Sequence, residues 1–226
     1  MKGFFMVYHS ANMAPTRPAM NTRPFATQPA TRWLLAALLL GAAAAAQAHT
    51  DEASGGFASG FMHPVGGVDH LLAMIAVGIW GATLGRPLIW ALPVAFPLLM
   101  VMGGILGIAG VPLPFVEAGI ATSVVVLGLA ILAAWRAPVG VALAIVGVFG
   151  LLHGYAHGME LPTSAAPAAY TAGFVLSTGL LHLAGIAIGL LTAVPRGAQL
   201  LRVGGAAIAA VGVWILLGVL GVLGAT

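Results

Sequence analysis

The stretch "HPVGGVDHLLAMIAVGIWG", residues 63–81, places ionisable side chains at the start of an otherwise apolar run. These side chains are His63, Asp69 and His70. A charged residue at the centre of a membrane helix costs about 2.5–3.5 kcal/mol on insertion scales. Such residues persist mainly where they face a cavity, pair with each other or hold an ion. The stretch therefore predicts a membrane helix that carries a polar function.

The composition of the whole chain is that of a membrane protein. Of its 226 residues, 61% are hydrophobic and 6% are charged, whereas about a quarter of the residues of a soluble domain are charged. The net charge of +3 comes from basic residues near the N-terminus, and the rest of the chain is nearly neutral. The charge thus does not indicate a nucleic-acid partner. The chain contains no cysteine, which excludes disulfides, thiolate metal sites and iron–sulfur clusters.

The N-terminal region has the pattern of a secretory signal peptide. Residues 33–48, "WLLAALLLGAAAAAQA", follow Arg32 and end in a small-x-small sequence. This run is shorter than the roughly 17–25 residues that a spanning helix needs. We predict a cleaved signal peptide with an extended basic region at 1–48 and a single membrane domain at 49–226, an uncleaved anchor being the alternative. Cleavage puts His49 at the mature N-terminus, where its imidazole and α-amine are further candidate ligands.

The apolar pattern after the signal divides at prolines and arginines into stretches that are long enough to cross a bilayer. We predict an all-α membrane protein with six transmembrane helices at 64–84, 88–109, 114–134, 138–158, 168–192 and 201–223. Pro64 is then expected in the first turn of the first helix, where its missing N–H costs nothing, and His63 is expected as the N-cap.

The arginines predict an orientation for these helices. If residue 49 lies outside, Arg86, Arg136 and Arg196 fall in cytoplasmic loops, and Arg202 lies just inside the last helix at the same face. All acidic residues fall outside or in the outer part of a helix. This distribution follows the positive-inside bias. We therefore predict a multi-pass protein of the bacterial inner membrane with both mature termini outside the cytoplasm.

Imidazole and carboxylate groups recur at the outer ends of the predicted helices. On a continuous first helix, His63 and His70 lie on nearly one face, and His153 and His157 have a spacing that lets two imidazoles reach one ion. By predicted depth the series is Glu160, His63 and His157 at the mouth, then Glu117, Asp69, His70 and His153, and finally His182 past the midplane. We predict that this set binds a borderline divalent ion such as Ni, Co, Zn or Cu(II).

Structural roles stay open for single members of this set. A lone buried histidine such as His182 is also explained by a hydrogen bond between helices. A carboxylate near the membrane surface costs little free energy and needs no ion to explain it. Gly150, Gly154 and Gly158 recur at intervals of four. Small residues at this spacing predict that another helix packs closely beside the two histidines of the fourth span.

Two stretches resemble a known family. "HPVGGVDHLLAMIAVG", residues 63–78, and "HGYAHGME", residues 153–160, resemble the first-helix and fourth-helix signatures of the HupE/UreJ proteins, which are membrane accessories of hydrogenase and urease systems described as nickel permeases. The plan of a signal followed by six spans is also similar. The resemblance implies transport roles for His63, Asp69, His70, His153, His157 and Glu160.

The resemblance implies a secondary permease that is not an enzyme and holds no resident cofactor. It implies nickel as the imported ion, which ligand chemistry alone does not separate from cobalt, and a role in supplying hydrogenase or urease maturation. The expected partners are the divalent metal ion and the lipid bilayer. The sequence contains no nucleotide-binding loop, so we expect no nucleotide partner, and a homo-oligomer is left open.

Two other functions compete with transport. In a zinc-dependent intramembrane hydrolase, His153, His157 and His182 would bind zinc and a carboxylate would take the proton of the attacking water. The chain contains no HExxH motif and no recognisable nucleophile motif. In a haem-binding electron carrier, paired histidines on facing helices would bind the iron, but no feature of the sequence marks a haem pocket.

Overall fold

The computed structural model describes residues 56–160 and 167–222. Within these ranges the chain forms α1 Phe57–Gly66, α2 Val68–Leu84, α3 Leu88–Ile108, α4 Val116–Leu132, α5 Val139–Met159, α6 Pro167–Gly189 and α7 Gly197–Val219. A 3₁₀ turn, Leu190–Ala193, follows α6. The prediction of an all-α fold is confirmed for the described residues, none of which forms a strand. The predicted signal peptide and His49 lie outside the described residues.

The helices are those of a multi-pass membrane protein. Among the described residues, α3, α5, α6 and α7 are long and apolar enough to cross a bilayer, and α1 with α2 passes the same test as one bent span. The apolar helix α4 has 17 residues, which is near the short end of the usual range of roughly 17–25. The number of six spans therefore stays a prediction. The bounds of α3 to α7 differ from the predicted ones by a few residues at most.

The prediction of one continuous helix at 64–84 is wrong. The structure divides this stretch into α1 and α2, which are bent by 82° relative to each other. Gly67 has an extended backbone, with φ −89° and ψ 117°, so that α1 ends before it and α2 starts again after it. His63 and Pro64 consequently lie inside α1, and the predicted N-cap role of His63 is also wrong. The N-caps are Gly56 for α1 and Gly67 for α2.

Glycines let the helices pack with their backbones in contact. A Cβ atom at Gly154 would collide with the carbonyl group of Met100, and a Cβ atom at Gly158 would collide with that of Gly104. Gly150 packs against the backbone of α3 in the same way. The predicted close approach of a neighbouring helix at the α5 glycines is therefore confirmed, and this neighbour is α3. Helices α2 and α6 also pack through facing glycines.

Charged side chains separate to the two ends of the helices. The connections α2–α3, α4–α5 and α6–α7 lie together at one end, where the rings of Trp80 and Trp135 stack with centroids 5.6 Å apart. We call this the arginine end, because it holds the arginines of the described residues, Arg86, Arg136, Arg196 and Arg202. We call the opposite end the histidine end; among the described residues, its acidic and imidazole side chains are His63, Asp69, His70, Glu117, His153, His157 and Glu160.

Candidate metal-binding site

Histidine side chains from three helices meet at the histidine end. The ring centroid of His157 on α5 lies 4.5 Å from that of His70 on α2 and 4.7 Å from that of His63 on α1. The ring of His153, one turn along α5, lies 4.9 Å from His70. We call these four residues the histidine cluster. Its members approach closely enough for neighbouring rings to share one ion or to exchange it.

The bend between α1 and α2 is what brings His63 into the cluster. On a straight helix, seven residues would separate His63 from His70 by about 10 Å along the axis. In the structure the centroids of these two rings are 6.2 Å apart. The sequence predicts His157 at the mouth, but in the structure only 7% of its surface is exposed, because the rings of His63, His70 and Phe174 pack against it.

Asp69 orients the His70 ring. Its Oδ1 atom accepts hydrogen bonds from His70 Nδ1 at 2.7 Å and from the His70 backbone N–H at 2.8 Å. Because a carboxylate only accepts hydrogen bonds, Nδ1 carries the proton and Nε2 keeps a free lone pair. The same carboxylate–histidine pairing supports metal-ligating histidines in other proteins. Asp69 lies in the first turn of α2, where the helix dipole stabilises its negative charge.

The other buried imidazoles of the cluster also present free nitrogens. Nδ1 of His153 donates a hydrogen bond to the carbonyl oxygen of Phe149 at 2.8 Å, which leaves Nε2 as the free nitrogen. Within the described part of the chain, His153 Nε2, His70 Nε2 and both ring nitrogens of His157 have no hydrogen-bond partner. Buried polar atoms are nearly always paired in proteins. These nitrogens are therefore candidate ligand atoms.

Glu160 adds a carboxylate to one side of the cluster. One ligand atom each of His63, His157 and Glu160 lie within 4.8 Å of one another. Glu160 is exposed and follows the last residue of α5, whereas His157 is buried. Two imidazoles and one carboxylate make a donor set that suits a borderline divalent ion. These three residues extend from the exposed Glu160 at the surface to the buried His157 in the cluster.

A cavity of about 450 Å³ leads to the cluster. Its wall includes Ser59, Met62, His63, Asp69, His70, Glu117, Ile120 and Glu160. All acidic side chains of residues 56–160 and 167–222 are thus in this wall, so that the cavity favours cations. His153 and His157 are buried and do not line the cavity, which places them behind His63 and His70.

His182 is the one member of the predicted set that lies apart. It is 1% exposed, and its ring contacts Phe96 on α3, with centroids 5.4 Å apart. Phe96 in turn contacts His153, at 5.3 Å. The other predicted residues, His63, Asp69, His70, Glu117, His153, His157 and Glu160, form the cluster or line its cavity.

The sequence alone does not single out the aromatic residues that enclose the cluster. The Phe174 ring lies 4.3 Å from that of His157, and the Tyr170 ring lies 6.0 Å from that of His63. Tyr170, Phe174, Thr178 and His182 recur every four residues, which makes each the neighbour of the next along α6. This spacing is the signal for them, but apolar helices contain many such repeats of aromatic residues by chance.

Comparison with known proteins places the chain in a family. The family model described as "HupE / UreJ protein" matches residues 36–215, which include both signature stretches and every residue of the candidate site. The chain is 43% identical over 173 residues to Protein HupE of Rhizobium leguminosarum bv. viciae, covering 76% of this chain and 91% of that relative. No solved structure matches the chain. The chain therefore belongs to the HupE/UreJ family of hydrogenase and urease accessory membrane proteins, which is associated with nickel transport.

Proposed function

We propose that this protein is a secondary permease that imports nickel across the inner membrane. The observation that carries the proposal is a set of buried imidazole nitrogens that have no hydrogen-bond partner among the described residues and lie behind an acidic cavity. A histidine that serves only stability is expected to pair its ring nitrogens, because an unpaired polar atom in the interior is costly. Family membership supports nickel as the transported ion.

The first step in this proposal is capture of the ion at the cavity. Asp69, Glu117 and Glu160 raise the local concentration of divalent cations. His63, His157 and Glu160 then supply a first set of ligands. Because two of these ligands are imidazoles and one is a carboxylate, the set favours a borderline ion over Mg²⁺ or Ca²⁺.

The second step is transfer within the histidine cluster. His157 contacts both His63 and His70, and His70 contacts His153. An ion can therefore exchange one imidazole at a time, moving from His63 and His157 to His70 and His153. Several weak sites in series suit transport, since an ion that is bound too tightly does not leave. Asp69 holds the His70 ring in position for this transfer.

The proposed orientation places the histidine end outside and the arginine end in the cytoplasm. The four arginines of the described residues lie at one end, as the positive-inside bias expects of a cytoplasmic face. Both mature termini would then lie outside. The imported nickel would supply the maturation of hydrogenase or urease, the systems to which the family belongs.

The zinc hydrolase is not favoured by this arrangement. It requires His153, His157 and His182 to share one ion. Within the described helices, no ring contact joins His182 to either α5 histidine, and the Phe96 ring contacts both His153 and His182.

Uptake of radiolabelled nickel into metal-starved cells tests the proposal. Expression of the chain should raise uptake. His70→Ala should lower it because a ligand is lost, and Asp69→Asn should lower it because the support of the His70 ring is weakened. Ser123→Ala is the matched control, since Ser123 is also buried but donates to the Ile120 carbonyl of its own helix at 2.6 Å. Cobalt and zinc, added in turn as competitors, measure the preference for nickel. Normal uptake in both site variants, at normal expression, would contradict the proposal.

A further inference from the structure

Two polar side chains on α6 are buried away from the histidine cluster and have no use in the transfer described above. Both ring nitrogens of His182 and the hydroxyl oxygen of Thr178 lack a hydrogen-bond partner within the described residues. His182 is 1% exposed and Thr178 is 0% exposed. The two residues are four apart, so they are neighbours on the helix surface. The His182 ring and the Thr178 hydroxyl therefore form a polar site on α6 within an apolar interior.

Helix α3 brings a backbone acceptor to the same place. Pro97 has no N–H, so the carbonyl oxygen of Pro93, four residues earlier, lacks its helical donor. This oxygen approaches the His182 ring, although neither ring nitrogen forms a well-aligned hydrogen bond with it. Carbonyl oxygens released from helical bonding bind ions in many transporters. The His182 imidazole and the Pro93 carbonyl therefore lie close together, and the Thr178 hydroxyl is one helical turn away along α6.

The Phe96 ring lies between His182 and His153 of the histidine cluster. It lies on α3 between the two prolines and is fully buried. Its ring meets His153 at an interplanar angle of 60° and His182 at 83°, an edge contact on both sides. A buried aromatic ring excludes water and blocks an ion until it moves. The polar groups on its two sides would then be occupied in turn.

We propose that His182, Thr178 and the Pro93 carbonyl form an inner station for the transported divalent ion, closed off from the histidine cluster by the Phe96 ring. This inference rests on the proposed function and extends it to a second site. The inner station has one imidazole, whereas the cluster has four. Its weaker ligands suit release toward the arginine end.

The lack of cysteine in the chain allows a direct test of access. Thr178→Cys introduces a single thiol at the inner station, and a small cationic methanethiosulfonate reagent is added from the histidine end of the full-length protein in vesicles. With Phe96 in place the thiol should react slowly. A minor open state is typically populated at roughly 0.1–10%, so Phe96→Ala in the same background should speed the reaction about tenfold or more.

Nickel chloride provides the second readout of the same experiment. In the variant with Thr178→Cys and Phe96→Ala, nickel should slow modification, because the ion occupies the station next to the thiol. Adding His182→Ala should remove this protection. Ser123→Cys is the control, since it places a thiol at an equally buried hydroxyl position on α4 whose oxygen is already paired. It should show neither acceleration by Phe96→Ala nor protection by nickel. Modification of the Thr178→Cys thiol that is independent of both Phe96 and nickel would overturn the inner station.

A variant of His182 separates this inference from the proposed function. In purified His182→Ala protein, nickel binding to the cluster should stay at the wild-type affinity, while uptake into cells falls. A merely structural role of His182 would instead reduce the yield of folded protein and nickel binding together. If His70→Ala abolishes uptake and His182→Ala leaves it unchanged, the inner station fails and the permease stands. If neither changes uptake, the proposed function itself fails.

Discussion

The two ends of this helix bundle differ in how their polar side chains are paired. At the arginine end, Arg202 Nε donates to the Leu132 carbonyl at 2.8 Å, and Trp80 Nε1 donates to the Trp135 carbonyl at 3.1 Å. Both acceptors lie at or just beyond the C-terminus of α4, where a helix leaves its carbonyl oxygens without donors. At the histidine end, the buried imidazoles keep ring nitrogens without partners in the described residues.

This difference separates structural polar groups from functional ones. A side chain that donates a hydrogen bond to a free carbonyl oxygen at the end of a helix is explained by its contribution to the stability of the fold. A buried imidazole without such a pair lowers stability, and its retention is explained by a ligand that pairs with it in function. The acidic cavity that leads to the histidine cluster, at about 450 Å³, is also larger than the cavity of about 120 Å³ beside Arg136 and Arg202.

The largest of the expected effects is a loss of nickel affinity in Asp69→Ala. This variant leaves every nickel ligand in place but removes the carboxylate that holds the His70 ring. Loss of such a supporting carboxylate typically weakens metal affinity by roughly 10–100-fold. Asp69→Asn should have a smaller effect, because the amide oxygen still accepts a hydrogen bond from Nδ1. Titration of purified protein with nickel chloride measures both affinities.

The control for this affinity measurement lies at the other end of the molecule. Arg136→Ala removes a charge from the wall of the smaller cavity and should leave nickel affinity unchanged. Equal loss of affinity in Arg136→Ala and Asp69→Ala would contradict the division between the two ends.

The next effect is a gain in the stability of the metal-free protein, which is expected from His157→Leu. Both ring nitrogens of His157 are buried without partners in the described residues, and an unsatisfied buried group costs about 1–3 kcal/mol. A leucine of similar size removes this cost, so the metal-free variant should unfold at a higher temperature than the wild type. Nickel should raise the unfolding temperature of the wild type more than that of the variant, because it stabilises the folded state that binds it.

Thermal unfolding in detergent, with and without nickel, tests the role of His157. Ser123→Ala is the matched comparison, because Ser123 is buried with its hydroxyl group paired, and its loss should not stabilise the protein. A lower unfolding temperature for metal-free His157→Leu would show that His157 serves the fold.

The sequence predicts the parts of this molecule that depend on composition and short-range spacing. Apolar runs predict the helices, and glycines at intervals of four on α5 predict the close approach of α3. The position of His153 and His157 one turn apart on the same helix also follows from the sequence without tertiary information. Motif resemblance also predicts the family, because both signatures are local stretches of the chain.

The sequence does not predict the features that depend on tertiary contacts. Hydropathy is the same for a straight and a bent apolar segment, so the bend at Gly67 is not visible in it, and Pro64 has the pattern of a first-turn proline. Depth along a helix axis is predictable from the rise per residue, but the neighbours at that depth are not. The position of Phe96 against both His153 and His182 therefore emerges only from the packing of α3 between them.

The smallest effect is expected from Arg202→Ala at the arginine end. The variant loses one exposed hydrogen bond to the Leu132 carbonyl, and that oxygen, at the last residue of α4, can bind water instead. The loss of stability should therefore be at most about 1 kcal/mol, the usual net value of a hydrogen bond. Unfolding in detergent measures it, and nickel affinity should not change. If Arg202→Ala weakened nickel binding as much as Asp69→Ala, the arginine end would have to be part of the transport site, and the pairing of its polar groups would no longer mark them as structural.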